Sequence, residues 1–431
     1  MEPLEERLFR EIVKIPLMDP HSHIDPHRPT ARDLDDLLGY HYYTELAHSA
    51  GMSLEPLRSE VPSEERARAM ARFLPAIENT VQYSWLLEIA RDLLGFPHDR
   101  IGPSTIDELL ALAERKLGAE WWEGDLLRRS NVERIFLTND FDDPLEGFDT
   151  ERYVPCLRTD DLVFKLREPV VVERLRMASG IDAGNASGLD RAIGRLFEKF
   201  VEKKARACAV SLPPDFEPVE VGATEADAAL RRVLSGRGET EEDSRVLAAH
   251  VFWRIASHCR DHRLPFDLMI GVNRNVYPGG VHQGRDLFDR RTSLYQYRRL
   301  FNAFPEVTFP VSVLATDSNQ ELVAYSWIFP NVVTSGHWWY SNIPAFIETD
   351  ARARLHGVPR TKQIGYYSDA YKLEFVLPKF NMYRKVLARI LAEDYVVSRR
   401  WTEEDAVALA RDLLRTNAER IFLKKDVGPG A

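Results

Sequence analysis

Cysteine is scarce: Cys156, Cys208 and Cys259 are the only three in 431 residues. An odd number at wide, unrelated spacings builds neither a disulfide framework nor a zinc knuckle, so a reducing cytoplasm is the expected setting. A surplus of positive charge is missing too, since 57 Lys and Arg stand against 67 Asp and Glu for a net charge of -10. Such a chain has no basic field to attract a phosphate backbone or an anionic lipid surface, which argues against nucleic acid and membrane partners. Apolar runs stay far short of the ~20 residues of a membrane span. The opening MEPLEERLFREIV mixes acids and bases in a helical pattern and lacks the basic-then-apolar order of a secretory signal. Internal repeats and low-complexity tails are absent. The sequence leaves a homo-oligomer open.

What remains is ordinary globular material, 44% hydrophobic, with ample substance for a large core. Eight short runs rich in β-branched and aromatic residues lie at 15–23, 132–140, 153–158, 205–212, 265–272, 311–316, 331–338 and 364–369. Their near-continuous hydrophobicity suits parallel strands buried on both faces, and helical patterns fill most of the gaps. The pattern predicts an α/β fold, a single (β/α)8 TIM-like barrel over residues 1–431, with functional groups at the C-terminal ends of its strands. In the fifth run, Met269 and the stripe Phe266, Leu268 and Ile270 read as barrel core. The gap between Asp25 and Asn131 is too long for a crossover. It holds three helical stretches, read as a helical insertion after strand 1 over 30–130 that folds over the barrel mouth, with Ser63 and Ser104 as helix N-caps.

The sharpest local signal is Asp19-Pro-His21-Ser-His23 at the end of the first run. Residues two apart on a strand share a face, so both imidazoles can enter the barrel mouth. Asp369 ends the eighth run, which barrel closure brings beside the first. His21, His23 and Asp369 therefore form a candidate site for one divalent ion, zinc favoured over manganese, with positions left for water or substrate. The competing reading of Asp369 is a cap for the helix beginning near Leu373. On their own, His41 and Tyr42 read as core or surface filler, Arg158 as an ion-pairing residue, and Trp338-Trp339 as packing.

Taken together, several segments resemble the amidohydrolase superfamily and, within it, the uronate (glucuronate) isomerase family. They are His21-Ser-His23, Gly39-Tyr-His41-Tyr42, Val154-Pro155-Cys-Leu-Arg158, Ile270-Gly271-Val-Asn-Arg274-Asn275, Ser335-Gly336-His-Trp338-Trp339-Tyr340, Ser368-Asp369 followed by Asn381-Met-Tyr383-Arg384, and Asn417-Ala418-Glu-Arg420-Ile-Phe422. The resemblance runs through the whole chain. It implies a barrel of amidohydrolase type and metal-dependent interconversion of a hexuronate aldose and its 2-keto isomer, as between D-glucuronate and D-fructuronate, with a small sugar acid as partner. It further implies that His41 and Arg158 bind the substrate carboxylate, that Tyr42 assists proton transfer at C2, that Asp369 acts on a metal-bound water or at C1, that Arg274 and Tyr371 contact substrate, and that Trp338 and Trp339 wall the pocket.

Three places depart from the family pattern. Met269-Ile270-Gly271 stands where the family has His-Ile-Gly, and a thioether is a poor ligand for a hard divalent ion, which favours a single metal. Asp369-Ala370-Tyr371 replaces Asp-Ser-Arg, and Ser211-Leu-Pro-Pro214 replaces an Asp-His pair. A pocket short of an Arg and a His is less cationic, so a less charged sugar derivative is expected to fit, with Tyr371 offering a phenol and a flat face. Two other readings stand beside the isomerase: a superfamily hydrolase or lyase acting on another carbohydrate-derived substrate, and a catalytically silent binding barrel.

Overall fold

The structure, a computed structural model, describes residues 2–236 and 240–423. Ten regular strands occupy the eight expected runs: β1 (Leu17–Asp19), β2 (Val132–Phe136), β3 (Asn139–Asp140), β4 (Tyr153–Val154), β5 (Cys156–Arg158), β6 (Ala207–Leu212), β7 (Phe266–Ile270), β8 (Phe309–Val313), β9 (Val332–Ser335) and β10 (Gln363–Ile364). Two runs are each split in two. Pro155, which has no N–H to give, separates β4 from β5, and Leu137-Thr138 separate β2 from β3. All pairings between strands are parallel, in the orders β1-β2-β4 and β10-β9-β8-β7-β6-β5-β3. Between the first and eighth runs the ladder is carried by two backbone bonds, His23 N–H to Ala370 O at 2.8 Å and Asp369 N–H to His21 O at 3.1 Å. The architecture is the expected (β/α)8 barrel.

The barrel interior is a small apolar layer of Met18, Phe136, Val154, Cys156, Ala207, Ala209, Val333 and Ile364. It is plugged by Ala418 and Phe422 of the terminal helix Asn417–Phe422, with the Phe422 and Phe136 rings 4.9 Å apart. On β7 the stripe Phe266, Leu268 and Ile270 belongs to the outer core, among residues of the helix Glu241–His262, and not to the barrel interior. A strand buried on both faces does not announce which face is inward. The inward face carries Asp267 and Met269.

Helices His41–Ser49, Ser63–Ala71, Val81–Glu88, Ile106–Glu114 and Trp122–Ser130 lie between β1 and β2. Neither expected serine caps them: Ser63 is itself the first helical residue after Pro62, and Thr105 rather than Ser104 precedes Ile106, without a side-chain cap bond. Among the described residues no helix is long and apolar enough to cross a membrane.

One glycine is under a visible constraint. Gly336, just past β9, has φ of 44°, and a Cβ there would sit 2.2 Å from the Tyr367 ring. Tyr367 in turn donates to Ser312 Oγ at 3.0 Å and lies against His21, with ring centroids 5.2 Å apart. Gly336→Ala is therefore expected to cost ~2 kcal/mol, combining left-handed backbone strain with overpacking, as measured by urea unfolding. A loss within 0.5 kcal/mol, the range of an ordinary surface change, would contradict this account.

Candidate active site

The C-terminal ends of the strands open into a cavity of about 240 Å³. His21, His23, His41, Arg158, Arg274, Trp338, Trp339, Asp369 and Tyr371 all line it, as do Thr138, Asp160, Ser211, Met269 and Asp286. The imidazoles of His21 and His23, which lie just past the end of β1 and not on the strand as expected, stand edge to face, 5.3 Å apart. Hydrogen-bond chemistry sets the tautomer of each. Thr138 gives its hydroxyl proton to Ser22 O at 3.1 Å, so its oxygen can only accept at the 2.8 Å contact with His23 Nδ1. His21 Nδ1 lies 3.6 Å from Asp267 Oδ2, an acceptor only. In both rings the proton belongs on Nδ1 and the lone pair on Nε2.

These lone pairs converge. Nε2 of His21 and of His23 lie 3.6 and 3.3 Å from Asp369 Oδ1. The three groups are the only cluster of its kind among the described residues, with ligand atoms within 4.8 Å of one another. His21 Nε2 and Asp369 Oδ1 are buried without a hydrogen-bond partner. Buried acceptors facing one another are costly unless a cation lies between them, and two imidazoles with a carboxylate suit a divalent metal. The residues therefore fit the ion. The same field acts on the pKa values: burial opposes charge on His21, yet Asp267, Asp369 and Asp19 outweigh it and raise its pKa. Burial likewise opposes ionisation of Asp369, but His23, His21 and Lys379 overcome it and hold the carboxyl at about 2. Burial keeps His23 below its ordinary value.

Asp369 is held from its backbone. Its φ is 51°, a left-handed conformation that Asp tolerates better than most residues. Its carbonyl accepts from Tyr40 OH at 3.1 Å, while Lys379 Nζ donates to Tyr40 OH at 2.9 Å and to Ser368 O at 2.7 Å. Ser368 N–H and Oγ–H both reach Asp19. Asp369 caps nothing, because the following helical turn, Leu373–Phe375, is preceded by Lys372.

Of the other expected residues, His41 lines the cavity with Nδ1 held 2.8 Å from Glu45 Oε1. Tyr42 does not line it, contrary to expectation. The Tyr42 ring lies behind that of His41, with centroids 4.2 Å apart, and packs against Tyr40 and Trp85. Its hydroxyl is buried and unpartnered, and burial raises its pKa well above 10. Arg158 bonds Asp160 Oδ2 through Nε at 3.2 Å. The Tyr371 ring stacks on His23 at 4.9 Å, and the indole of Trp339 meets His41 edge-on at 5.6 Å. Sequence reasoning gave Asp19 no role and missed Asp267, Thr138, Glu45 and Lys379. Asp267 left a trace, a lone carboxylate inside an apolar strand run.

A parallel barrel carrying two imidazoles and a carboxylate at its C-terminal mouth defines an enzyme of the amidohydrolase type. Residues 2–422 match the family model described as glucuronate isomerase, and the chain belongs to that family. It is 24% identical over 452 aligned positions to the uronate isomerase of Brucella canis, covering 97% of this chain and 96% of that one. The crystal structure of uronate isomerase from Thermotoga maritima superposes with a TM-score of 0.90 at 22% identity, covering 97% of each chain. That of glucuronate isomerase from Caulobacter crescentus gives 0.89 at 20% identity, covering 99% of this chain and 95% of the other.

Proposed function

We propose that this protein interconverts a hexuronate aldose and its 2-keto isomer, with His21, His23 and Asp369 holding one zinc ion and with manganese as the alternative. The observation that carries the reading is that the guanidinium of Arg158 and the His-His-Asp cluster line one cavity. A bound divalent ion supplies a positive charge that polarises a substrate oxygen. The remaining work falls to side chains. Nε of Arg158 is engaged by Asp160, while its two terminal nitrogens have no protein partner among the described residues and can grip a carboxylate as a fork.

Isomerisation breaks the C2–H bond, forms a C1–C2 double bond as the C1 oxygen gains a proton, and then returns a proton to C1 as C2 becomes the carbonyl. No oxidant is consumed. We assign proton removal at C2 to His41, because Glu45 accepts its Nδ1–H and leaves Nε2 basic. Tyr42 is not assigned this role, since burial keeps its phenol protonated. The proton returned to C1 is the one His41 has taken from C2, and the proton gained by the C1 oxygen is the one lost from the C2 hydroxyl. Asp369, its pKa held at about 2, stays ionised and is not a proton donor, contrary to expectation. Tyr371 and the two tryptophans bound the sugar.

Zinc-loaded and manganese-loaded protein given D-glucuronate or D-galacturonate in deuterated water is expected to form the ketose, with exchange at the transferred position seen by NMR. No ketose from either acid would remove the reading. Arg158→Met is expected to lower kcat/KM roughly 30-fold, ~2 kcal/mol for a lost charge-assisted partner. An unchanged kcat/KM in steady-state assays would take Arg158 out of substrate binding.

A further inference from the structure

Ser211, Arg274, Asp160 and Asp286 have no task in the reaction as assigned, yet together with Arg158 they form one unbroken hydrogen-bonded line along the cavity wall. Asp286 Oδ2 accepts from Arg274 Nη1 at 2.6 Å, and Asp286 Oδ1 accepts from Asn275 N–H at 2.7 Å. Arg274 Nη2 donates to Ser211 Oγ at 2.8 Å. Ser211 passes its own hydroxyl proton to Asp160 Oδ1, and Asp160 Oδ2 takes Nε–H of Arg158 at 3.2 Å. The direction of each bond follows from chemistry: arginine only donates, carboxylate only accepts, and serine does both. Serine is thus a residue that can join a guanidinium to an already occupied carboxylate at this point, whereas a second carboxylate at position 211 would repel Asp160.

The two arginines differ. Arg274 has both terminal nitrogens engaged within the protein, whereas those of Arg158 have no protein partner among the described residues. We propose that Arg274 and Ser211 are positioning residues that act through Asp160 to aim the free edge of Arg158 at the substrate carboxylate, so that the loop after β7 sets selectivity for acids over neutral sugars. This rests on the reading of the substrate as a sugar acid. It also revises the expectation that Arg274 touches substrate.

The test uses binding, which does not require turnover. L-Gulonate is the open-chain acid left when C1 of D-glucuronate is reduced, and D-glucitol is the same chain with an alcohol in place of the carboxylate. Titration calorimetry of the zinc-loaded protein is expected to show L-gulonate bound at least 10-fold more weakly by Arg274→Gln and by Ser211→Ala than by the unaltered protein, with D-glucitol unaffected. Because the effect runs through Arg158, the double variant R158M/R274Q is expected to be no weaker than R158M. The proposal is overturned by gulonate affinity within twofold of the unaltered protein in both single variants, by equal loss for gulonate and glucitol, or by additive losses in the double variant. Gulonate binding that depends on Arg274 in a protein that turns over neither uronate would defeat the assigned reaction while leaving the relay standing. Uronate turnover with Arg274-independent gulonate binding would do the reverse.

Discussion

Purified His21→Ala protein is expected to lose its metal and its activity together. Loss of an outer partner of a metal-bound histidine already costs about 10–100-fold in affinity or activity. His21 supplies a ligand atom of its own, so the variant should bind zinc more than ~100-fold more weakly. The cluster has only three side-chain donors, which leaves His23 and Asp369 as a two-donor remnant. Metal content after dialysis, read by atomic emission, is the direct measurement. A variant that still held one zinc per chain would show that the ion sits elsewhere, and with it the assignment of His23 and Asp369 would fall.

The second large effect belongs to a residue with no contact to substrate. Lys379 is fully buried, its Nζ lies 5.0–5.2 Å from the ring centres of Tyr40, Tyr42 and Trp85, and burial lowers its pKa to about 8 against the pull of Asp369 and Asp19. Lys379→Met keeps much of the volume but removes the positive charge. Ser368 O and Tyr40 OH lose their donor, and Asp19, already pushed by burial to about 6, loses a compensating charge. Removing one partner from a buried charged group costs about 3–5 kcal/mol, so unfolding of the metal-free variant in urea should show a loss of ~4 kcal/mol. A loss below 1 kcal/mol would mean that the surrounding rings, not the charge, stabilise the site.

The frame was readable because its signals are periodic and local. Eight apolar runs stand out, and the spacing of His21 and His23 in an extended segment sends both imidazoles to one site, although β1 itself ends at Asp19 and the pair lies just past it. Asp369 was reachable by one further step, the adjacency of first and eighth strands. The failures have a common cause. Tyr42 adjoins His41 in sequence and in space, with ring centroids 4.2 Å apart, but its ring lies on the side away from the cavity, packed against Tyr40 and Trp85. The stripe on β7 faces the outer helices and not the axis, which its alternation alone does not decide, and the inward position of Asp267 is hidden for the same reason. Lys379 looks like any helix lysine. Its burial depends on where the helix Val376–Ile390 lands, which no local pattern encodes.

The single bond from Tyr40 to the Asp369 carbonyl joins a member of the proposed metal site to the helical segment between β1 and β2. Through it, two equilibria share one free energy. Whatever narrows the motion of Asp369 also narrows that of the segment bearing His41, and by thermodynamic reciprocity an ordered segment tightens the ion to the same degree. On the proposed metal site, loading of the centre and ordering of the segment that bears His41 are expected to be coupled.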